Sequence, residues 1–263
     1  MKKKVHTDIG IEKALKAMVK GNKRLETVLD LLLKNQYIRG LQDEANKVAI
    51  VRMGYNDHGP VHGRIAAYHA LQIWDLLGLK GSVVQEEIGD EEDSKVCILM
   101  GAFLHDTGIS LARHEHELFG TIVTRQVVEE ILGKVYKDKY RIARLASLVS
   151  ESILCHMGTH QATSLEARIV ETADGTDVTK GRARIPFHIG EADIHKFSAL
   201  AIEKVNIGKG EKKPVRFELI MDNPAGIFQA QEIMLKKTMD AKMDEYIEIV
   251  AYLKGQKKPI TIL

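Results

Sequence analysis

The feature that most constrains the fold of this chain is a change of hydrophobic period near residue 180. Before that point apolar residues recur at helical spacing, as Leu25, Val28, Leu29 and Leu32 do, and almost no strict alternation with period two occurs. Helices with one apolar stripe have to bury it against other elements. We therefore predict an all-helical domain over residues 1–190.

Several helices of this domain can be placed together with their ends. A long helix is predicted from Val61 to Leu77, with a glycine of GLKGSV as its C-cap. An apolar helix is predicted over Val96–Leu104, with Ser94 as its N-cap. Amphipathic stretches cover residues 117–132 and 141–157, and Ser164 should cap the helix in SLEARIVETADGTD.

The C-terminal part, residues 191–263, has a different pattern. SALAIEKVNIG and KPVRFELIMD are typical of two strands joined by GKGEK. AGIFQAQEIMLKKTMDAKM follows as a helix, and EYIEIVAYL as a third strand. The predicted fold class is therefore mainly α, with a small C-terminal α+β subdomain of order β-β-α-β. An exposed edge strand could pair between two copies, so a homo-oligomer is a possible partner state.

Composition and charge narrow the class of protein. The chain of 263 residues has a net charge of +2 and no block of five or six like charges, so neither nucleic acid nor a membrane surface is an expected partner. It contains no run of 18 apolar residues and no secretory leader pattern. Cys97 and Cys155 lie far apart in apolar stretches and are expected to be reduced core residues. These features predict a cytoplasmic protein.

The stretch AFLHDTGIS places His105 and Asp106 at the end of an apolar run, where an unpaired carboxylate is costly to bury. The same kinds of donor recur at or near other predicted helix ends: His62, His116, His156, His160 and Asp174. Imidazole with carboxylate suits iron, manganese, zinc or nickel, and a carboxylate-rich site suits magnesium. The pattern therefore predicts that these residues converge on a divalent metal ion.

The ordered set His62, then His105–Asp106, then Asp174 resembles the H…HD…D pattern of the HD-domain metal-dependent phosphohydrolase superfamily. LHDTG is similar to the LHDxG element of that family, and HELFG to its HExxG element. The resemblance covers residues 55–180 and implies the helical bundle of an HD domain.

The resemblance also implies residue roles. His62, His105, Asp106 and Asp174 would bind a first metal, and Asp106 would bridge to a second that His116 and His156 complete. His160 is a reserve candidate. Two ions are expected. His105 and Asp106 are the predicted catalytic residues, because they would bind the metal ion that carries the attacking hydroxide.

A phosphorylated substrate needs cationic partners, since its oxygens are negatively charged. Lys180 and Arg182 follow Asp174 closely, and Arg113 precedes His116. With His160 they form the predicted substrate-binding set. Other histidines have simpler interpretations. His69 is expected to be a hydrogen-bonded core or surface residue, and His58 either that or a group that contacts the substrate or a ligand.

Of the remaining histidines, His114 is expected to face solvent. His6, His188 and His195 are expected to play no metal role.

Two functional hypotheses follow. The first is a hydrolase that cleaves a phosphomonoester or phosphodiester of a small nucleotide-like or related metabolite by attack of a metal-bound hydroxide. The second is a regulatory protein, in which the C-terminal α+β part senses a small molecule and the metal site does not turn it over.

Overall fold

The computed structural model describes residues 8–182, 198–256 and 258–263, with side chains from Gly10 onward. Up to Arg182, every regular element that it describes is helical, and a four-stranded sheet follows. The predicted fold class is thereby confirmed. The predicted boundary between residues 190 and 191 lies outside the described residues, as do His6, His188 and His195.

The N-terminal part is a bundle of helices joined by short turns. Its α-helices are α1 (Asp8–Met18), α2 (Lys23–Lys34), α3 (Gln36–Asn46), α4 (Pro60–Leu77), α5 (Ser82–Gln85), α6 (Glu91–Leu104), α7 (His116–Val135), α8 (Lys139–Cys155) and α9 (Leu165–Asp174). A π-helical turn, Lys47–Arg52, extends α3, and a 3-10 turn, Thr107–Ser110, separates α6 from α7.

Helix α6 lies at the centre of the bundle and contacts α2, α4, α8 and α9. All of its residues from Val96 to Leu104 are buried, which explains why this stretch is apolar on every side. The predicted N-cap was wrong. The helix begins five residues earlier than Val96, with a capping box in which Asp90 accepts from the amide of Asp93 and Asp93 accepts from that of Asp90. Ser94 instead donates to the buried Glu166 at 2.6 Å.

Other predicted helix ends are confirmed. Helix α4 spans the predicted stretch, and it ends at Gly78, whose φ of 66° places it in the left-handed region that favours glycine. The hydroxyl of Ser164 accepts from the amide of Ala167 and so caps α9. Cys97 and Cys155 are buried and unpaired, as predicted.

The C-terminal subdomain has the predicted β-β-α-β order and one further short strand. The strands are β1 (Ile202–Lys209), β2 (Val215–Met221), β3 (Ile247–Leu253) and β4 (Ile260–Thr261). β1 pairs antiparallel with β2, β2 parallel with β3, and β3 antiparallel with β4. The parallel pair needs a crossover, which is helical: α10 (Gly226–Gln229), a π-helical turn (Ala230–Leu235) and α11 (Lys236–Asp240).

The two parts share one hydrophobic core. Buried apolar side chains of the bundle and of the sheet form a single contiguous cluster, in which α4 contacts β1 and β2. Helix α11 contacts α9, whose last residue is Asp174. The subdomain is thereby held against the end of the bundle where the predicted metal ligands lie. None of the described helices has the length and apolar content to cross a bilayer.

Candidate metal centre

The six predicted metal ligands come from the ends of five helices. His62 lies in the first turn of α4, His105 caps α6 with Asp106 directly after it, and His116 begins α7. His156 caps α8 and Asp174 ends α9. All six side chains are buried. A helix end can aim its side chain along the helix axis, so five helices that converge end-on can surround one point.

The four histidines form two pairs whose Nε2 atoms face each other. The Nε2 atoms of His62 and His105 are 3.1 Å apart, and so are those of His116 and His156. The ring centroids of His105 and His156 are 4.8 Å apart, so the two pairs are adjacent. Asp174 belongs to the first pair, because its Oδ1 lies 3.0 Å from His62 Nε2 and 3.5 Å from His105 Nε2.

Asp106 lies between the two pairs and turns one oxygen to each. Its Oδ2 is 3.3 Å from His62 Nε2 and 3.2 Å from His105 Nε2. Its Oδ1 is 3.4 Å from His116 Nε2 and 3.6 Å from His156 Nε2. Within the described part of the chain, Oδ2 is buried and accepts no hydrogen bond of good geometry. A buried carboxylate oxygen without such a partner is costly unless a cation binds it.

The Nδ1 atoms of these histidines contact acceptors, which determines where the proton of a neutral ring lies. The Nδ1 of His62 donates to Asp177 Oδ2 at 2.8 Å. Those of His105 and His156 donate to the carbonyl oxygens of Ala102 and Ile153 at 2.8 and 2.7 Å. The neutral rings therefore carry lone pairs on Nε2, and these lone pairs point into the centre. This is the tautomer that binds a metal ion through Nε2.

His116 has acceptors and a donor beside the same atom. Its Nδ1 lies 3.0 Å from the carbonyl oxygen of Arg113 and 3.3 Å from the carboxylate of Glu117. A guanidinium nitrogen of Arg113 also lies 3.0 Å away. Two acceptors, one of them charged, outweigh one donor, so we place the proton on Nδ1 here as well. Thr159 donates to Glu117 at 2.9 Å and holds that carboxylate in place.

The charges of the centre are coupled through this geometry. Burial lowers the pKa of His105, but Asp106 and Asp174 more than compensate and raise it to about 9. Burial raises the pKa of Asp106, but the facing histidines hold it well below its usual range. Burial lowers the pKa of His156 to about 4, since the nearby carboxylate of Asp106 compensates only in part. Protons on the first pair neutralise the carboxylates when no other cation is bound, and a metal ion can replace them.

The donor set fits divalent metal ions. Two groups of three residues could each hold one metal ion, since the ligand atoms of each group lie within 4.8 Å of one another. The first group is His62, His105 and Asp174, and the second is His105, Asp106 and His156. Nitrogen and carboxylate oxygen in this mixture suit first-row transition metals, with magnesium as a harder alternative.

Comparison with known proteins decides the family. The HD domain model matches residues 63–179, which include His105, Asp106 and Asp174. The chain is also 37% identical to the uncharacterized protein MJ1020 of Methanocaldococcus jannaschii over 233 residues, which cover 88% of this chain and 90% of that protein. This chain belongs to the HD-domain family. HD domains bind divalent metals and are generally hydrolases. No solved structure matches the chain.

A cavity of about 310 Å³ opens beside the metal centre of this HD protein. Asp106 and Asp174 line it, so a molecule bound there would contact the centre directly. Its other lining residues are Tyr55, Asn56, His58, Arg113, Met157, Asp177, Val178, Thr179, Arg182, Ala199, Gln229, Ile233 and Lys237. The cavity is of the size that small ligands use, and it combines apolar walls with three basic side chains, those of Arg113, Arg182 and Lys237.

Two of the predicted substrate-binding residues reach this cavity. Arg182 lines it and is held by the carbonyl oxygens of Asp57 and Asp177, at 2.8 and 3.2 Å, while its Nη2 lies 3.2 Å from His62 Nε2. Arg113 also lines it, and a guanidinium nitrogen of Arg113 lies 3.0 Å from His116 Nδ1. These contacts fix Arg182 beside the first pair, where its fork can meet an anionic ligand.

The other two predicted substrate residues lie elsewhere. Lys180 pairs with Asp222 at 3.2 Å, and His160 is exposed with its Nδ1 3.3 Å from the hydroxyl of Thr159. Neither lines the cavity. Nearness in sequence to a ligand does not determine where a side chain points, so their substrate roles remain predictions without geometric support.

His69 and His114 agree with the simpler expectations. His69 contacts the hydroxyl of Thr176 at 2.7 Å, and His114 is exposed. His58 lines the cavity and contacts the carbonyl oxygen of Asn56 at 2.6 Å. Burial holds its pKa well below the usual value, so His58 is a neutral group at the mouth of the centre.

Sequence reasoning missed two residues of the centre. Asp177 accepts from His62, and Lys237 donates to Asp174 from the far end of the chain. Asp177 follows Asp174 by three residues in ADGTD, so a second carboxylate near the motif was a usable signal. Lys237 stands 63 residues from Asp174, in a helix that shows no pattern apart from its amphipathicity.

The glycine of DTG, Gly108, permits a close approach between two segments. A methyl group on Gly108 would overlap the carbonyl oxygen of His116 and the backbone of Gly120. The 3-10 turn therefore packs directly on the first turns of α7. This close approach brings His116 to the doublet, and it links the LHDTG and HELFG elements physically.

Proposed function

We propose that the protein is a phosphohydrolase with two metal ions, which cleaves a phosphomonoester or phosphodiester of a small nucleotide-like or related metabolite. The observation that carries the proposal is the position of Asp106. One of its oxygens faces His62 and His105, and the other faces His116 and His156. A short carboxylate between two histidine pairs can bridge two ions.

A bound divalent ion would supply a hydroxide nucleophile near neutral pH, because it lowers the pKa of coordinated water. His105 and Asp106 are the proposed catalytic residues, since they hold the position where that nucleophile forms. Together with His105 and Asp106, His62 and Asp174 would hold the first ion. The second ion would be held by His116 and His156.

The cavity supports a phosphorylated substrate. Arg113 and Arg182 line it and can neutralise phosphate oxygens beside Asp106. Val178, Met157 and Ile233 offer an apolar wall for the rest of the molecule. Both parts of a small phosphorylated metabolite, its charged head and its less polar body, would thus contact matching surfaces.

The test combines metal analysis with an activity panel. Protein purified without chelator is analysed for bound metals and assayed against nucleotides, phosphomonoesters and phosphodiesters. Asp106→Asn keeps the shape of the side chain but removes the charge. We expect the rate of hydrolysis to fall by more than roughly 100-fold, which is the upper end of the loss typical of residues that only orient a metal-binding side chain.

Asp75→Asn is the matched control, because Asp75 is an exposed carboxylate on α4 that pairs with Lys95 at 2.6 Å. It should retain full activity. Metal-loaded protein that cleaves no phosphoester in the panel would contradict the proposed reaction. An Asp106→Asn variant with unchanged turnover would contradict the proposed role of the bridge.

A further inference from the structure

We infer that Lys237 is a positioning residue of the metal centre, which orients Asp174 and makes the C-terminal subdomain a structural part of the site. The inference rests on the proposed metal centre, but it does not depend on which phosphoester is cleaved. It concerns a residue that lies far beyond the matched HD domain, which ends at residue 179.

Lys237 contacts Asp174, which lies against the first histidine pair, and His156, which belongs to the second pair. Its ammonium donates to Asp174 Oδ2, the oxygen that does not face the histidines. It also donates at 2.6 Å to the carbonyl oxygen of His156. With Oδ2 held by Lys237, Oδ1 of Asp174 is left to face His62 Nε2 at 3.0 Å. A carboxylate that is held in this way presents one defined oxygen to a metal ion.

The packing of the lysine stem shows a close fit. A methyl group on Gly175, the residue after Asp174, would lie 3.1 Å from both Cβ and Cδ of Lys237. The stem therefore lies directly on the backbone of the turn that ends α9. Its side chain is only 15% exposed. The absent side chain at Gly175 is what permits the ammonium to reach Asp174 from α11.

The contact between Lys237 and Asp174 distinguishes two interpretations of the C-terminal subdomain, as a separate sensing module or as part of the site. A separate sensing module would need no residue inside the centre. Here Lys237 reaches the ligands, and Ala199, Gln229 and Ile233 from the same part of the chain line the cavity. The subdomain thus contributes both a positioning residue and part of the cavity wall.

The test measures metal affinity directly in the chain of 263 residues. Lys237→Met keeps the length of the stem but cannot donate. We expect it to weaken the binding of Mn²⁺ about 10- to 100-fold, as measured by competition with a chelator, because Asp174 loses its fixed orientation. Lys237→Arg, which can still donate to Asp174, should recover part of the affinity. Lys236→Met, a change at the exposed neighbour, should bind as the wild type does.

Gly175→Ala gives a second test in which the lysine is retained. The φ of −63° at Gly175 accepts alanine, so the change should displace the lysine stem without preventing folding. We expect weaker Mn²⁺ binding, by a smaller factor than in Lys237→Met. This variant and Lys237→Arg still test the inference should Lys237→Met fail to fold.

The outcomes separate the inference from the proposed function. If Lys237→Met unfolds at a lower temperature but binds Mn²⁺ as tightly as the wild type, Lys237 only stabilises the packing and the inference is wrong. Wild-type protein that binds Mn²⁺ but cleaves no phosphoester contradicts the proposed reaction, and the affinity measurement still decides on Lys237. Wild-type protein that binds no divalent metal overturns both.

Discussion

Asp177→Asn is the most informative change at a residue that contacts a predicted metal ligand, His62, but is not itself one of the six predicted ligands. Asp177 Oδ2 accepts the Nδ1 proton of His62 at 2.8 Å, and its side chain is buried. Burial raises the pKa of Asp177, but its bond to His62 and the charge of Arg182 more than compensate, so the pKa lies below the usual value. The carboxylate is therefore ionised at neutral pH. Asparagine keeps the shape but loses the charge.

The expected magnitude follows from this contact. An ionised acceptor on Nδ1 fixes the tautomer of His62 and makes its Nε2 a stronger donor to a metal ion. Loss of such a partner lowers metal affinity about 10- to 100-fold, which corresponds to about 1.4 to 2.7 kcal/mol. The change acts on the first histidine pair, since Asp177 bonds to His62. The Nδ1 atoms of His105 and His156 bond to backbone carbonyl oxygens, and that of His116 contacts Arg113 and Glu117. One of two ions should therefore bind more weakly.

The assay is competition between the protein and a chelator for Mn²⁺, with circular dichroism to verify the fold. The exposed Asp75→Asn change on the same helix is the control and should leave affinity unchanged. A folded Asp177→Asn protein that binds Mn²⁺ as tightly as the wild type would refute the reasoning. So would an equal loss for both ions, because the contact reaches only His62.

The remaining predictions concern stability. Burial raises the pKa of Glu171 to about 8, against an ordinary value of 4.5, so the folded protein favours its protonated form. The free energy of unfolding of the wild type should therefore fall as pH rises from about 4.5 to about 8. The side chain in Glu171→Gln does not titrate, so the free energy of unfolding of this variant should exceed that of the wild type by up to about 5 kcal/mol at the upper end of this range. Urea unfolding at several pH values measures this difference. Gly108→Ala should cost more than about 3 kcal/mol, because the added methyl overlaps the backbone of His116 and Gly120. Thermal unfolding checks it.

Each of these changes has its own control. Gly133→Ala introduces the same methyl group in α7 at a position with open space, and it should leave stability unchanged or slightly higher. For Glu171, a gain that is the same at every pH would contradict the argument, since only a titrating group produces a difference that grows with pH. Exposed Glu130→Gln should show no such growth.

Much of the site could be predicted because its residues occur in local motifs. The HD doublet ends an apolar helix, and HELFG begins the helix that packs on it, so residue type and order identify these members. The cationic residues were less predictable. Arg182 reaches the cavity while Lys180, two residues earlier, pairs with Asp222, because the direction of a side chain depends on local backbone geometry and on distant partners.

By itself, the sequence determined the helical bundle, the small sheet and the residue types of the centre, since hydrophobic period and helix capping act over a few residues. Only the tertiary structure decided how these residues are oriented. The two histidine pairs face each other across Asp106 because five helix ends converge. Lys237 reaches Asp174 because a glycine lets two distant segments touch. Such contacts depend on packing between segments that are far apart in the chain, and no local pattern encodes them.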